Sequence, residues 1–299
     1  MRAVVVVVWA ACGTYDPLDD VAFREFPDTA SAVRAIVAET GSPRVYAIGE
    51  YHPAQRMLER HSPLERFSYE ILPVLDSATH LVVESWFDPS CAAGGDPVQS
   101  QIAAATNRPP SERADLALLI ASSHLPTRGL PMTCIEHSSM LDPTGRVDFY
   151  RLLALVTAKL LETTLQLLDE RSEDTVGGGP TGFASGGAAA GPRGIDEGHT
   201  VIVCGGALQN DLYPRWPLDE LAYGHALARI LDQRTEPARR PSVVEIDLVV
   251  PEIVEPIQSL RREAWFPLLA RAGPDRALVW ERGPASYVVI LPSSGYAPP

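Results

Sequence analysis

Short apolar segments bounded by glycine, proline or charged residues recur along the chain and predict β-strands. Several of them are rich in valine and isoleucine, the β-branched residues that pack well on a pleated sheet. The seven predicted strands are 44–49, 80–84, 131–136, 200–205, 242–250, 277–280 and 286–291.

Longer segments between the strands repeat apolar residues near the 3.6-residue period of an α-helix. The predicted helices are 63–75, 112–123, 147–171, 218–233 and 252–271. Strands that alternate with helices indicate an α/β fold, with a mainly parallel central sheet flanked by helices. A short turn around Gly283 joins the last two strands and predicts a C-terminal antiparallel hairpin at an edge of the sheet.

The two ends of this pattern suggest a division of the chain. Residues 1–43 form an N-terminal segment that opens with an apolar run before Cys12. The run predicts a buried strand or a signal-like segment that would anchor a lipoprotein through Cys12. We favour a cytoplasmic protein, because Trp9 is bulky for a cleavage site. Residues 44–299 form a single α/β domain, in which the Gly/Ala-rich stretch 172–198 predicts a flexible loop.

Composition excludes several classes of protein. With 45% hydrophobic residues in 299, the chain has enough apolar content to fold. We find no apolar run near the ~20 residues of a membrane-spanning helix. A net charge of −13 without a basic patch argues against a nucleic-acid partner. Cys134 and Cys204 lie in apolar, strand-like runs and are expected to be buried free thiols.

Polar residues with catalytic or ligating chemistry follow four successive predicted strands. They are Glu50, Tyr51 and His52, then Glu84 and Trp86, then Glu136 and His137, and finally Gly205, Gly206, Gln209 and Asn210. The carboxyl ends of parallel strands meet at one edge of a sheet, where ligands bind in open α/β folds. We therefore expect Glu50, His52, Glu84, Glu136 and Gln209 to converge.

Such a cluster has two chemical explanations. Carboxylates are costly to bury unless they are paired or coordinated. One explanation is a divalent metal with carboxylate and imidazole ligands. The other is a metal-free acid/base site, in which neighbouring groups raise the pKa of a glutamate and a histidine titrates near neutrality.

The motifs at these strand ends resemble a known superfamily. Ile48 to His52, Val82 to Glu84 and Val201 to Asp211 are similar to the superfamily of TIKI/TraB-type metalloproteases, erythromycin-esterase-like hydrolases and ChaN-like haem-binding lipoproteins. Its hallmark is a pair of Gly-x-x-His motifs with strand-end glutamates. Residues 49–52 match the first motif, whereas the second, residues 206–209, ends in Gln209 instead of histidine.

The resemblance implies roles for the strand-end residues. Catalytic roles fall to Glu50, His52, Glu84 and Glu136, and His52 and Glu84 are the metal ligands. The substrate-binding set is Tyr51, Trp86, His137, Gly205, Gly206, Gln209 and Asn210. Asn210 and the amides of Gly205 and Gly206 would stabilise an oxyanion.

The changed second motif alters the expected cofactor. Glutamine is a poor ligand for zinc-like ions, so we expect no cofactor or a weakly held divalent metal such as Mn, Zn or Co. Haem fits less well, because only Tyr51 or His52 would supply an axial ligand.

Two functions follow. The first is a divergent hydrolase-fold protein that binds a peptide or a small amide or ester, as a tailoring enzyme for hydrolysis or cyclisation in a crocagin-like peptide natural-product pathway. The alternative is a non-catalytic peptide- or haem-binding protein of the ChaN-like type. Either would work as a homodimer or in complex with a paralogue.

Overall fold

The computed structural model describes residues 21–52, 62–85, 111–174, 199–234 and 240–293. They form an eight-stranded sheet in the order β1-β7-β8-β6-β2-β5-β3-β4. In chain order the strands are β1 Arg24–Phe26, β2 Val45–Glu50, β3 Ala78–Val83, β4 Thr127–Arg128, β5 Thr200–Gly206, β6 Val243–Val249, β7 Ala277–Gly283 and β8 Ser286–Ile290.

Helices and shorter helical turns connect the strands and cover both faces of the sheet. The α-helices are α1 Thr29–Thr40, α2 Pro63–Arg66, α3 Ser111–Ser123, α4 Cys134–Ser139, α5 Phe149–Asp174, α6 Ala207–Asn210, α7 Tyr223–Arg234 and α8 Pro251–Val254. A π-helical turn at Phe67–Ile71 and 3₁₀ turns at Leu72–Val74, Asp219–Leu221, Gln258–Arg262 and Phe266–Arg271 complete the helical segments.

The predicted fold class is confirmed. The centre of the sheet is parallel, since β2 pairs with β5 and β6, β3 pairs with β4 and β5, and β6 pairs with β8. The β7–β8 hairpin is antiparallel, as predicted. Strand β1 pairs with β7 and lies outside it.

Alternate residues of the central strands face two separate cores. On one face Tyr46 and Ile48 join the apolar residues of α1, α2 and α3. On the other face Val45 and Ala47 pack with α5 and α7. A smaller cluster around Trp265 covers this second face beyond the end of β6. Parallel strands buried on both faces explain why their sequences are continuously apolar.

The segment before residue 44 contributes to the same sheet. Strand β1 adds an edge to β7, and Ala32, Val33 and Ile36 of α1 lie in the core beneath β2. Helix α1 begins at Asp28, whose side chain accepts a hydrogen bond from the Ser31 amide. The apolar run before Cys12 lies outside the described residues.

The prediction of a strand at 131–136 is wrong. Thr133 begins helix α4 instead, through a reciprocal pair of hydrogen bonds: its hydroxyl accepts from the Glu136 amide, and the Glu136 carboxylate accepts from the Thr133 amide. These capping bonds satisfy donors that a short helix otherwise leaves open. The strand next to β3 is β4, several residues earlier.

The prediction for Cys134 is also wrong, whereas that for Cys204 is confirmed. Cys134 is exposed at the start of α4 and is disulfide-bonded. Cys204 is a free, buried thiol in β5, and burial raises its pKa.

The predicted continuous helix 252–271 is broken in the structure. Helix α8 ends at Val254, and two 3₁₀ turns follow. Pro256 and Pro267 lack the amide hydrogens that a continuous helix needs, and their rings clash with the preceding turn. Of the predicted loop 172–198, the first three residues belong to α5, and residues 175–198 lie outside the described part of the chain.

Candidate functional site at the strand ends

Glu50 and His52 stand together where β2 leaves the sheet. Glu50 is the last residue of β2, and its side chain is 10% exposed, against 24% for His52. The His52 Nδ1 atom lies 3.3 Å from Glu50 Oε1. A carboxylate near Nδ1 favours the tautomer with hydrogen on that atom, and in that tautomer Nε2 is the basic nitrogen of the ring.

The other ring nitrogen of His52 faces the end of β5. Nε2 lies 3.6 Å from the point where a side chain on Gly206 would begin. The carboxamide oxygen of Gln209 already occupies the space of such a side chain. Glycine at 206 therefore lets His52 and Gln209 approach the same short stretch of backbone.

Glu84 joins this group from the end of β3. Its Oε2 atom accepts a hydrogen bond from the Gly206 amide at 3.3 Å. The structure thus brings together four of the five residues that we expected to converge, Glu50, His52, Glu84 and Gln209, whereas the fifth, Glu136, belongs to helix α4. Because the Gly206 amide donates to Glu84, it is not directed at a substrate oxyanion as we expected.

Asn210 lies beneath the glycines of β2 and β5. Its side chain is fully buried, with Nδ2 beside Gly49 and Oδ1 beside Gly205. Neither atom makes a hydrogen bond to the described residues. A side chain that is enclosed in this way supports the strand ends from below and does not itself reach a ligand in the cleft.

A buried ion cluster borders Asn210 on the same face of the sheet. Arg282 of β7 binds Glu245 and Asp211 through Nη1 and Asp247 through Nη2, at 2.9 Å in each case. Glu245 also accepts a hydrogen bond from the Leu212 amide. The cluster holds the segment that follows α6 against β6.

Burial and mutual repulsion dominate the electrostatics of this cluster. Burial, and then the charge of Glu245, raise the pKa of Asp247 well above its ordinary value, although Arg282 opposes the shift. Burial also raises the pKa of Glu245. The three carboxylates in turn raise the pKa of Arg282, against the effect of its own burial.

Glu136 and Lys159 form a separate pair. The Glu136 carboxylate lies 2.8 Å from Lys159 Nζ and caps α4 instead of standing at a strand end. The hydrogen bond from Lys159, and then those from Thr133, lower the pKa of Glu136 to about 2. Glu136 is therefore a carboxylate at neutral pH and does not serve as a general acid. His137 follows it in α4.

The remaining predicted residues divide between the core and the undescribed part of the chain. Tyr51 is partly buried, with its ring centroid 5.6 Å from that of Trp265. Burial raises its pKa well above the ordinary value, so its hydroxyl stays protonated. Gly205 is buried beside Asn210. Trp86 lies outside the described residues.

The donor set at the strand ends does not fit the expected metal. In the ranges that the structure describes, no three His, Cys, Asp or Glu side chains are grouped to hold a metal ion. His52 and Glu84 are accompanied by the carboxamide of Gln209, which is a poor ligand for zinc-like ions. The acid/base groups that the site offers are Glu50, His52 and Glu84.

Sequence reasoning missed the ion cluster around Arg282. A signal was present, because strand 242–250 carries Glu245 and Asp247 on one face of an otherwise apolar run. Charges inside a buried strand require a partner. The identity of that partner is not contained in the local sequence.

No helix among the described residues is long and apolar enough to cross a membrane.

Comparison with protein-family models, curated proteins and solved structures finds no match to this chain. The resemblance to the TIKI/TraB and ChaN-like superfamily therefore stays a prediction that rests on the strand-end motifs.

Proposed function

We propose that the chain binds a peptide, or a small amide or ester, in the strand-end cleft and acts on it by general acid/base catalysis. The observation that carries this proposal is the pairing of Glu50 Oε1 with His52 Nδ1 at 3.3 Å. The carboxylate lies at ion-pair distance from the imidazole, and Nε2 lies 3.6 Å from the point where a side chain on Gly206 would begin. A histidine beside a carboxylate is suited to act as a general base.

In the hydrolytic form of the reaction, His52 takes a proton from a water molecule while the oxygen of that water bonds to the substrate carbonyl carbon. The bond to the leaving amine or alcohol then breaks, and His52 returns the proton to that group. In the cyclising form, an amine of the same peptide replaces water. Gln209 binds a backbone amide of the substrate, because its carboxamide both donates and accepts hydrogen bonds.

An apolar surface after α6 supports a peptide as the substrate class. Trp216 is 87% exposed, and Tyr213 and Leu218 are 45% and 38% exposed. These residues belong to the segment that directly follows Gln209 and Asn210. Arg215 of this segment lies 3.7 Å from Glu263. The charge of Glu263 adds to the burial that raises the pKa of Tyr51, the residue before His52. Exposed aromatic side chains are typical of surfaces that bind peptides, and these follow the polar site closely in sequence.

The test uses a panel of synthetic peptides and acyl esters, with products followed by mass spectrometry. We expect wild type to convert at least one member of the panel, and His52→Gln and Glu50→Gln to lose at least about tenfold in rate, within the range general-base catalysis supplies. His124→Asn is the matched control: His124 is exposed with φ 53°, which asparagine tolerates. Conversion that survives His52→Gln would overturn the proposed role of His52.

Non-catalytic peptide binding is the second candidate, and Gln209 favours it. A carboxamide beside His52 binds a peptide backbone well but takes up no proton at neutral pH. Saturable binding of panel peptides without conversion by wild type would select this function. Haem titration on the same samples tests the ChaN-like alternative, in which a Soret band appears.

The Cys134 disulfide bears on where the protein works. Disulfides persist in oxidising compartments and are rare in the cytosol. It therefore favours an oxidising compartment over the cytoplasmic location that we expected. Alkylation of the protein in intact host cells, followed by mass spectrometry without reduction, tests this, and a fully alkylated Cys134 would restore the cytoplasmic hypothesis.

A further inference from the structure

Three carboxylates share a single guanidinium beneath the strand ends. Arg282 binds one oxygen each of Asp211, Glu245 and Asp247, and the two acidic residues of β6 are fully buried. If all three were ionised, the cluster would carry two uncompensated negative charges. Uncompensated buried charge is so costly that a buried carboxyl group takes up a proton instead.

Asp247 is the member placed to hold that proton. Its Oδ2 atom binds Arg282, whereas its Oδ1 atom makes no hydrogen bond to the described residues. Oδ1 lies against Gly49, and Asn210 Nδ2 lies 3.0 Å from the same point above Gly49. One oxygen is thus held by a cation, and the other lies beside an amide that makes no hydrogen bond within the described part of the chain.

The opposite end of the Asn210 amide faces Glu84. Asn210 Oδ1 and Glu84 Oε2 lie 3.5 Å and 3.8 Å from the point where a side chain on Gly205 would begin. Both atoms are hydrogen-bond acceptors when Glu84 is ionised. The orientation shown places Nδ2 toward Asp247 and Oδ1 toward Glu84 without a hydrogen bond to the described residues at either end, and the opposite orientation exchanges donor and acceptor at both ends.

We propose that Asp247 holds a proton at neutral pH and that this proton turns the Asn210 amide, so that Nδ2 donates to Glu84. The Asp247 hydroxyl then donates to Asn210 Oδ1, and every group in the row has a partner of the correct kind. Asp247 and Asn210 become positioning residues for Glu84. Their influence on catalysis rests on the proposed function, whereas the proton and the amide orientation do not.

The surroundings of Asp247 support this assignment. Burial is the main cause of its raised pKa, and the nearby carboxylates add to it. The titratable or charged groups that act on Asp247 come from five places: Glu245 of β6, Arg282 of β7, Asp211 after α6, Tyr223 of α7 and Tyr51 after β2. Both tyrosines have pKa values well above the ordinary one and are neutral. Arg282 is the one cation among these groups.

Infrared spectroscopy of the full chain without substrate tests the proton. We expect wild type at neutral pH to show the carbonyl stretch of a protonated carboxylic acid, and this band to vanish in Asp247→Asn. The control Asp219→Asn removes a carboxyl group from the exposed 3₁₀ turn and should keep the band. Should Asp247→Asn fail to fold, Glu245→Gln decides, since a band that belongs to Asp247 must persist in that variant.

The amide orientation is tested by labelling asparagine with ¹⁵N, because the chain has only two asparagines, Asn107 and Asn210. Asn107→Asp identifies the Asn210 signal. We expect the Asn210 side-chain amide to shift on Glu84→Gln, and to titrate with the same midpoint as the infrared band. The proposal is overturned if wild type shows no carboxylic-acid band at neutral pH. It is also overturned if the Asn210 amide signal is unchanged in Glu84→Gln. Both outcomes are independent of whether the protein converts peptides.

Discussion

Asp247 lies in register with Gly49 on the neighbouring parallel strand, and its Oδ1 atom occupies the space that a side chain on residue 49 would need. The buried acid of β6 is therefore compatible only with glycine at the end of β2. Gly49 is also the first residue of the motif that leads to His52. The ion cluster and the strand-end site thus depend on the same position.

Gly49→Ala should destabilise the protein by about 1–3 kcal/mol, the usual cost of overpacking a core. The added methyl group would collide with Asp247 Oδ1 and crowd the Ala207 backbone. Gly205→Ala is the matched control, because its methyl group would meet Leu160 at an ordinary contact distance of 3.4 Å. Urea unfolding should show little change in stability for Gly205→Ala. Equal losses of stability in the two variants would contradict the close contact between Gly49 and Asp247.

Arg282→Met should cost about 3–5 kcal/mol at neutral pH, since it leaves buried carboxylates without their cation. Arg276→Met removes an exposed arginine that pairs with Glu25 and Asp275, and it should cost at most ~1 kcal/mol. Both values come from urea unfolding.

The free energy of unfolding that Arg282→Met loses should be smaller in mildly acidic buffer than at neutral pH. Asp247 and Glu245 have raised pKa values in the folded protein. A group of this kind contributes stability that is fully present below its ordinary pKa and lost as pH rises through the folded value. If the stability lost in Arg282→Met instead grows as pH falls, these carboxylates stay ionised.

Glu136 should titrate with a midpoint of about 2 when its carboxyl carbon is followed by NMR. Lys159→Met should move this midpoint up toward 4.5, the ordinary value, because the largest cause of the shift is removed. Because the pKa of Glu136 is lowered in the folded protein, the ionised Glu136 stabilises the fold at pH values above 4.5. This stabilisation is lost as pH falls toward about 2. An unchanged midpoint in Lys159→Met would assign the shift to Thr133 alone.

Gln209→His should raise the affinity of the strand-end site for Zn²⁺ or Mn²⁺, because a neutral imidazole is a better ligand than a carboxamide. His52 and Gln209 approach the same point at Gly206, so His52→Ala in the same chain should remove the gain. Metal titration calorimetry makes the comparison, and Gln209→Asn serves as the control without an imidazole. Tight stoichiometric binding by wild type would replace our acid/base proposal with a metal-dependent one.

Trp216→Ala should weaken the binding of panel peptides severalfold and leave stability within about 0.5 kcal/mol, since the side chain is exposed. Ile135→Ala is the control, because Ile135 is 84% exposed on α4. Fluorescence titration and thermal unfolding separate the two effects. Equal peptide affinity in wild type and Trp216→Ala would exclude this surface from the binding site.

Much of the site was predictable because parallel strands obey simple rules. Runs of β-branched residues gave β2, β3, β5 and β6 within one or two residues at each end. Once those strands are parallel, Glu50, His52, Glu84 and Gln209 must meet at one edge. Helix α4 was predictable too, because Thr133 and Glu136 have the spacing of a capping box. The apolar residues before it favoured a strand instead.

The sequence alone determined the layered α/β architecture and the strand-end cluster, since both follow from local periodicity and chain order. Only the tertiary structure decided the partners of the buried charges. Arg282 reaches Glu245 and Asp247 across β8, from 37 and 35 residues along the chain. The fit of Asp247 over Gly49 likewise depends on the register of two strands that are distant in sequence. Such contacts arise when the sheet assembles, because desolvation in the closed core decides which charges must pair.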